Sequence, residues 1–166
     1  MLNENVRAAF EELAEEVKRI VNERISRYGI NPKTGTNTLE GSNLQKSLQV
    51  DTVENGIELQ IAEYWQFISR GWQRTGNYPG TFNKFVENIL KWIDRKNIRW
   101  GNLTQNQIAF IVIKNIWNDG LKPRPFMIWD DGGDLTKMIP ELNAYMDRWF
   151  DTLFDKIMYD LDKYFS

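Results

Sequence analysis

Asp130, Asp131 and Asp134 are the tightest carboxylate cluster in the chain, set among glycines in the run Asp-Asp-Gly-Gly-Asp. Carboxylates in a glycine-rich turn are the raw material of a calcium loop, which needs ligands at alternate positions and a glutamate closing the loop at its twelfth. Here the acids are one and three positions apart, and Glu141 is twelfth only if Asp130 is first, with the intervening ligands missing. The spacing predicts a helix start instead, with Asp134 capping the last helix, where a carboxylate accepts from free amides and faces the positive end of the dipole. No metal site is expected. The 166 residues include no histidine and no cysteine. That removes the imidazole base, the Ser-His-Asp triad, thiol catalysis, disulfides, and the imidazole and thiolate ligands of zinc. Lysine or carboxylate catalysis would need a convergent pocket, whereas Glu58, Glu63, Glu87 and Asp94 read as solvated. The expectation is a protein with no catalytic residues and no cofactor.

Cations and aromatics interleave between positions 64 and 100: Tyr64, Trp65, Arg70, Trp72, Arg74, Tyr78, Lys84, Lys91, Trp92, Arg95, Lys96, Arg99 and Trp100. Single-strand nucleic-acid binders use this mixture, stacking bases on aromatic rings inside a cationic groove. The plainer reading is an aromatic core with a solvated basic rim. A basic patch also suits a surface that meets an acidic partner ring or borders a channel for DNA. Arg70, Trp72, Arg74, Arg95, Lys96, Arg99 and Trp100 are the candidate residues for such a lumen or partner face. The whole chain has a net charge of −2 and offers no general attraction to polyanions.

In Lys-Pro-Arg-Pro-Phe, 122–126, two prolines bracket an arginine. A polyproline ligand must lie free and extended, but Phe-Met-Ile-Trp follows at once and demands burial. The expected role is mechanical: Pro123 and Pro125 bias the residues before them to extended backbone, and Phe126, Met127 and Ile128 seat the stretch on the core as a strand.

The elements that position these residues follow from periodicity. Leu2, Val6, Phe10, Leu13, Val17, Ile20, Val21, Ile25 and Tyr28 predict one helix over 2–28, with Gly29 as its stop and Pro32 beyond. Residues 29–43 are turn formers and read as a mobile loop. Alternation on both sides of Asn55-Gly56 predicts a hairpin, 47–53 and 57–62, turning at that pair in a type I′ geometry. It needs further strands or a helix to cover it. Short helical runs follow at 63–71 and 82–96. The latter carries a stripe of Phe82, Phe85, Val86, Ile89, Leu90 and Ile93. Thr104 and Gln107 form a capping box for a helix to about Asn118, whose apolar middle implies burial on most sides. Residues 134–165 carry two adjacent apolar rows. One is Leu135, Met138, Leu142, Tyr145, Trp149, Leu153, Ile157 and Leu161; the other is Ile139, Met146, Phe150, Phe154, Met158 and Phe165. That face is wider than one neighbouring helix needs, so it packs on two elements or part of it meets another subunit. Pro140 fits if the regular helix begins near Ile139.

The sum is an α+β chain, mostly helical, with long N- and C-terminal helices on a small antiparallel sheet containing a hairpin. It reads as a single domain, 1–166, with an inserted helical segment at about 72–118. No apolar run approaches the ~20 residues of a membrane span, and the charged N-terminus is no signal peptide. A soluble protein made in a cytoplasm is expected.

The order of these parts resembles the small tail-completion and head–tail joining proteins of tailed bacteriophages. The carriers are the long first helix, GSNLQKSL at 41–48, a hairpin followed by EYWQFISRG at 63–71, and PRPF at 123–126 ahead of the last helix. The resemblance implies that Asn43, Leu44 and Ser47 open the first strand, that Tyr64 and Gly71 mark the segment after the hairpin, and that Pro123, Pro125 and Phe126 dock the last helix. It implies a cofactor-free virion protein, synthesised in a bacterial cytoplasm, that forms homo-oligomeric rings beside portal, connector or tail proteins, with DNA passing through the channel. The chain differs from the family pattern in having SRGW for a Glu-aromatic-Gly-Thr run, about 45 residues in place of a short loop, and MIWD after Phe126. A single-stranded nucleic-acid binding module using region 64–100 is the alternative.

Overall fold

The computed structural model describes residues 4–54, 56–71 and 82–165. Expectations resting on Leu2, Asn55, Trp72, Arg74 and Tyr78 lie outside these residues. The chain divides into two compact units, residues 1–70 with 124–166, and Gly71–Pro123. Each unit has an apolar core of its own. The insertion read at about 72–118 lies within the second unit.

The first unit is α+β. Helix α1 (Glu4–Tyr28) buries Ala9, Leu13, Val17, Ile20, Val21 and Ile25, the stripe its periodicity dictates. Its end is closed by a side chain: Asn37 Nδ2 donates to the carbonyls of Ile25 (3.1 Å) and Ser26 (3.0 Å). Gly29 stops the helix for a reason different from the expected one. It is absent from the positive-φ residues; instead, a Cβ there would lie 2.3 Å from Asn37 Oδ1 and 2.4 Å from the Ile25 carbonyl. Close approach, not turn geometry, requires glycine.

The stretch expected as a mobile loop, 29–43, is bonded into place. Ile30 and Asn37 form a bridge, Asn31 N–H donates to Thr36 (2.8 Å), Thr38 N–H donates to Gly29 (3.1 Å), and Leu39 is buried. Asn43, Leu44 and Ser47 do not open the strand. Asn43–Lys46 is a short helix, α2, capped by Ser42. Local side-chain capping wins over the extended reading at this point. Leu44 is 1% exposed. Ser47 Oγ donates to Leu44 O (2.7 Å) and accepts from Ala62 N–H (2.9 Å), tying the chain before the hairpin to the chain after it.

Strands β1 (Gln49–Val53) and β2 (Gly56–Gln60) form a two-stranded antiparallel sheet. Val50 faces Leu59, Thr52 faces Ile57, and Val53 faces Gly56. Gly56 is thus a strand residue and not a central turn residue. The alternation puts Val50, Ile57 and Leu59 on the core, and α1 packs on both strands, supplying the cover a lone hairpin needs.

Helix α3 (Trp65–Arg70) follows, ending where Gly71 was expected to stop it. After the second unit the chain returns through Arg124–Gly133 into α6 (Leu135–Met138). Asp134 caps this four-residue helix, not the last one: its carboxylate accepts from Thr136 N–H (3.0 Å). Ile139 leaves helical geometry ahead of Pro140, as the residue before a proline tends to. The long helix α7 (Glu141–Phe165) begins immediately after Pro140. It runs antiparallel to α1. Trp149 Nε1 donates to Ala9 O (2.8 Å), Asn5 Nδ2 donates to Asp160 (2.7 Å), and Phe10 packs on Trp149 with ring centroids 5.2 Å apart.

The described residues of the second unit contain a pair of helices, α4 (Phe82–Arg95) and α5 (Gln105–Asp119). Ile93, Ile108, Ala109 and Ile113 are buried between them, with Val86, Ile89, Leu90, Ile98 and Val112 packed around. Asn97 ends α4 with φ of 50°. Ile98 N–H reaches back to Ile93 O (3.0 Å) and Asn97 N–H to Asp94 O (2.9 Å), the paired bonds of a Schellman ending. Both halves of the Thr104–Gln107 capping box are made. Burial of α5 on most sides is not found: one face meets α4, while Phe110 is 68% exposed. One neighbouring helix cannot cover an apolar run that goes round the cylinder.

Candidate functional site

The first unit is organised around Arg24, which is buried near the C-terminal end of α1. Its Nε donates to Phe126 O (2.6 Å) and its Nη2 to Pro125 O (3.0 Å). Its Nη1 meets both oxygens of Glu141 at 2.5 and 2.6 Å. The guanidinium also lies 5.0 Å from the Tyr28 ring centroid, a cation–π contact. One side chain therefore joins α1, the Pro-Arg-Pro-Phe turn and the first residue of α7. Burial alone would raise the Glu141 carboxyl, but its own backbone amide and Arg24 hold it below the ordinary value.

The Pro-Arg-Pro-Phe stretch is seated as its apolar residues demand, bonded to Arg24 of α1, packed on Trp65 of α3 and sharing one core cluster with Leu142 and Trp149 of α7. Phe126 and Met127 are 0% exposed. Trp65 meets Phe126 edge-on at 6.2 Å and Trp129 at 5.8 Å. Arg124 Nη1 donates to Thr38 Oγ1 (2.7 Å) and Gly29 O (3.3 Å), and burial lowers its pKa. The run is not a strand, and Ile128 is exposed. Three paired carbonyls of 125–127 go to side chains of Arg24 and Ser69, which replaces a ladder. Asp130 and Asp131 face their own turn: Asp130 accepts from the amides of Gly132 (3.1 Å) and Asp134 (2.9 Å), and Asp131 from Trp129 Nε1 (2.7 Å).

The wide face of α7 divides in two. Leu142 and Trp149 are buried against α1, with Tyr145, Met146 and Leu153 around them. Phe150 (56% exposed), Phe154 (62%), Ile157, Met158 and Leu161 stand outside that contact. Five large apolar side chains on one helix are too contiguous to be scattered surface residues. An exposed apolar patch of this kind is a candidate interaction surface.

The second unit has a contrasting surface. Eight lysines and arginines stand against three acids within 71–123, a net of +5, whereas the rest of the chain has thirteen against twenty, a net of −7. Arg95, Lys96, Arg99 and Trp100 are exposed, with Trp92 beside them in sequence. A groove of about 630 Å³ runs over α5, lined by Val86, Asn106, Ala109, Phe110, Ile113, Lys114 and Trp117. A second hollow of about 430 Å³ shares Asn106 and Phe110 with it.

The region read as one basic-aromatic stretch belongs to both units. Trp65 is a core residue of the first, Tyr64 and Arg70 are exposed on it, and the remaining described members belong to the second. Trp72 and Arg74 lie outside the described residues. Gly71 has φ of 72°, and a Cβ there would stand 2.4 Å from Leu121 O and 2.8 Å from Pro123 N, so Gly71 and Pro123 close the base of the second unit. Arg24 was missed in the sequence. The signal for it was positional: it lies three and four residues beyond Val21 and Ile20, inside the apolar stripe.

The chain matches no protein-family model, no curated protein and no solved structure.

Proposed function

We propose that this chain is an assembly subunit without catalytic function, a ring-forming head–tail connector or tail-completion protein of a tailed bacteriophage particle. The observation that carries the assembly reading is the exposed stripe Phe150, Phe154, Ile157, Met158 and Leu161 on α7. A helix invests in such a face when another surface covers it. The phage assignment rests on the ordered resemblance of GSNLQKSL, EYWQFISRG and PRPF. Neighbours in the particle would be further copies and portal, connector or tail proteins. Electron microscopy of the purified chain at increasing concentration tests this reading, with closed rings of uniform size expected. Particles no larger than one chain at every concentration would contradict it.

The basic surface of the second unit, with Trp92 and Trp100 exposed, favours a second reading as a single-strand nucleic-acid binder. Tight oligonucleotide binding that weakens steeply with salt, by a chain that stays monomeric, would replace the first reading with this one.

A further inference from the structure

We infer that copies of this chain join head to tail, the apolar stripe of α7 in one copy seating in the α5 groove of another copy. This rests on the assembly reading above and names the two surfaces that pair.

Three observations support it. The first is shape. Phe150, Phe154, Ile157 and Leu161 are spaced four, three and four residues apart, the seam that one helix offers to another. The stripe spans about 17 Å at 1.5 Å per residue, and the α5 hollows from Leu103 to Trp117 span about 21 Å. One helix face therefore fits along the other.

The second is charge. Exposed Asp147, Asp151 and Asp155 each lie three residues before a stripe residue, Phe150, Phe154 and Met158 in turn, and so stand beside them on the helix surface. The groove is lined by Lys114 and belongs to the unit of net +5, whereas the stripe belongs to the unit of net −7.

The third is what the charges forbid. Pairing two α7 stripes would set these aspartates against one another, and pairing two α5 grooves would do the same with Lys114. Like charges across an interface disfavour both. A stripe-to-groove contact satisfies both surfaces and leaves one of each free. It is therefore heterologous, and repetition gives a closed ring when the rotation closes.

The experiment uses Phe154→Asp and Phe110→Asp, both at exposed positions, with circular dichroism confirming that each folds. Native mass spectrometry reads the species present. Wild type is expected to assemble. Each variant alone is expected to lose about 30-fold or more in association, as for a central aromatic anchor. Mixing the two in equal amounts restores one good interface, because the first keeps its groove and the second keeps its stripe. The mixture should form a heterodimer and stop there. Raised salt should weaken the wild-type contact. Assembly of Phe110→Asp like wild type, or a mixture that stays monomeric, would overturn the pairing while leaving an assembling wild type as an assembly protein. A wild type that is monomeric at all concentrations would overturn the assembly reading itself.

Discussion

The two units of this chain are fastened in different ways. In the acidic unit, α1, the hairpin, Phe126 and α7 share one apolar cluster, and Arg24 fastens three of its segments with directed hydrogen bonds. In the basic unit, Ile93, Ile108, Ala109 and Ile113 are the buried residues among those described, and a Schellman turn ends α4 while a complete capping box opens α5. Each unit also leaves apolar surface outside, the α7 stripe in one and Phe110 in the other. Buried and exposed apolar residues thus occupy different faces of the same helices.

The difference can be broken from the acidic side first. Phe126→Ala should cost about 3–5 kcal/mol, because a fully buried aromatic leaves both lost transfer energy and a cavity. Denaturant unfolding measures it. Arg24→Ala should cost about 3 kcal/mol, since it strands the Phe126 carbonyl in the core and removes the partner of Glu141. On the basic side, Thr104→Ala should cost about 1 kcal/mol by opening the capping box. Hydrogen exchange should place that loss in α5 and leave α1 and α7 protected. The smallest effect belongs to Phe154→Ala, expected to shift chain stability by no more than about 0.5 kcal/mol because the side chain is exposed.

Acid should act on the acidic unit. Glu141, Asp134 and Glu16 are all held below their ordinary values of 4.5, 3.8 and 4.5. A lowered folded pKa contributes stability that is complete above the ordinary value and is lost as pH falls through the lowered one. Wild-type melting temperature should therefore drop below about pH 4.5. Glu141→Gln should melt lower at neutral pH and show a shallower acid decline.

Much of this architecture was legible in the sequence, and the failures have physical causes. Long periodic stripes placed α1, α4 and α7, because burial on one face imposes a repeat. Thr104 and Gln107 announced the start of α5, because capping is local. Context-dependent features were harder. Asn43, Leu44 and Ser47 lie in a capped helical turn before the strand, and Asp134 caps a short helix that Pro140 separates from α7. Gly56 pairs with Val53 in the ladder, where the Asn55-Gly56 pattern had suggested a turn residue. Arg24 drew no expectation, since its partners, Phe126 and Glu141, are more than a hundred positions away. Of the candidate surfaces, the excess width of α7 was visible as a second apolar row. The opposite charges of the two units were hidden by a whole-chain net of −2.

Sedimentation velocity across a concentration series, comparing wild type with Phe154→Asp, bears most directly on the claim that α7 keeps an apolar face for assembly. Wild type should move to a larger, discrete species as concentration rises, and Phe154→Asp should remain a single chain with an unchanged fold. Identical monomeric profiles for the two proteins, or identical assemblies, would contradict it.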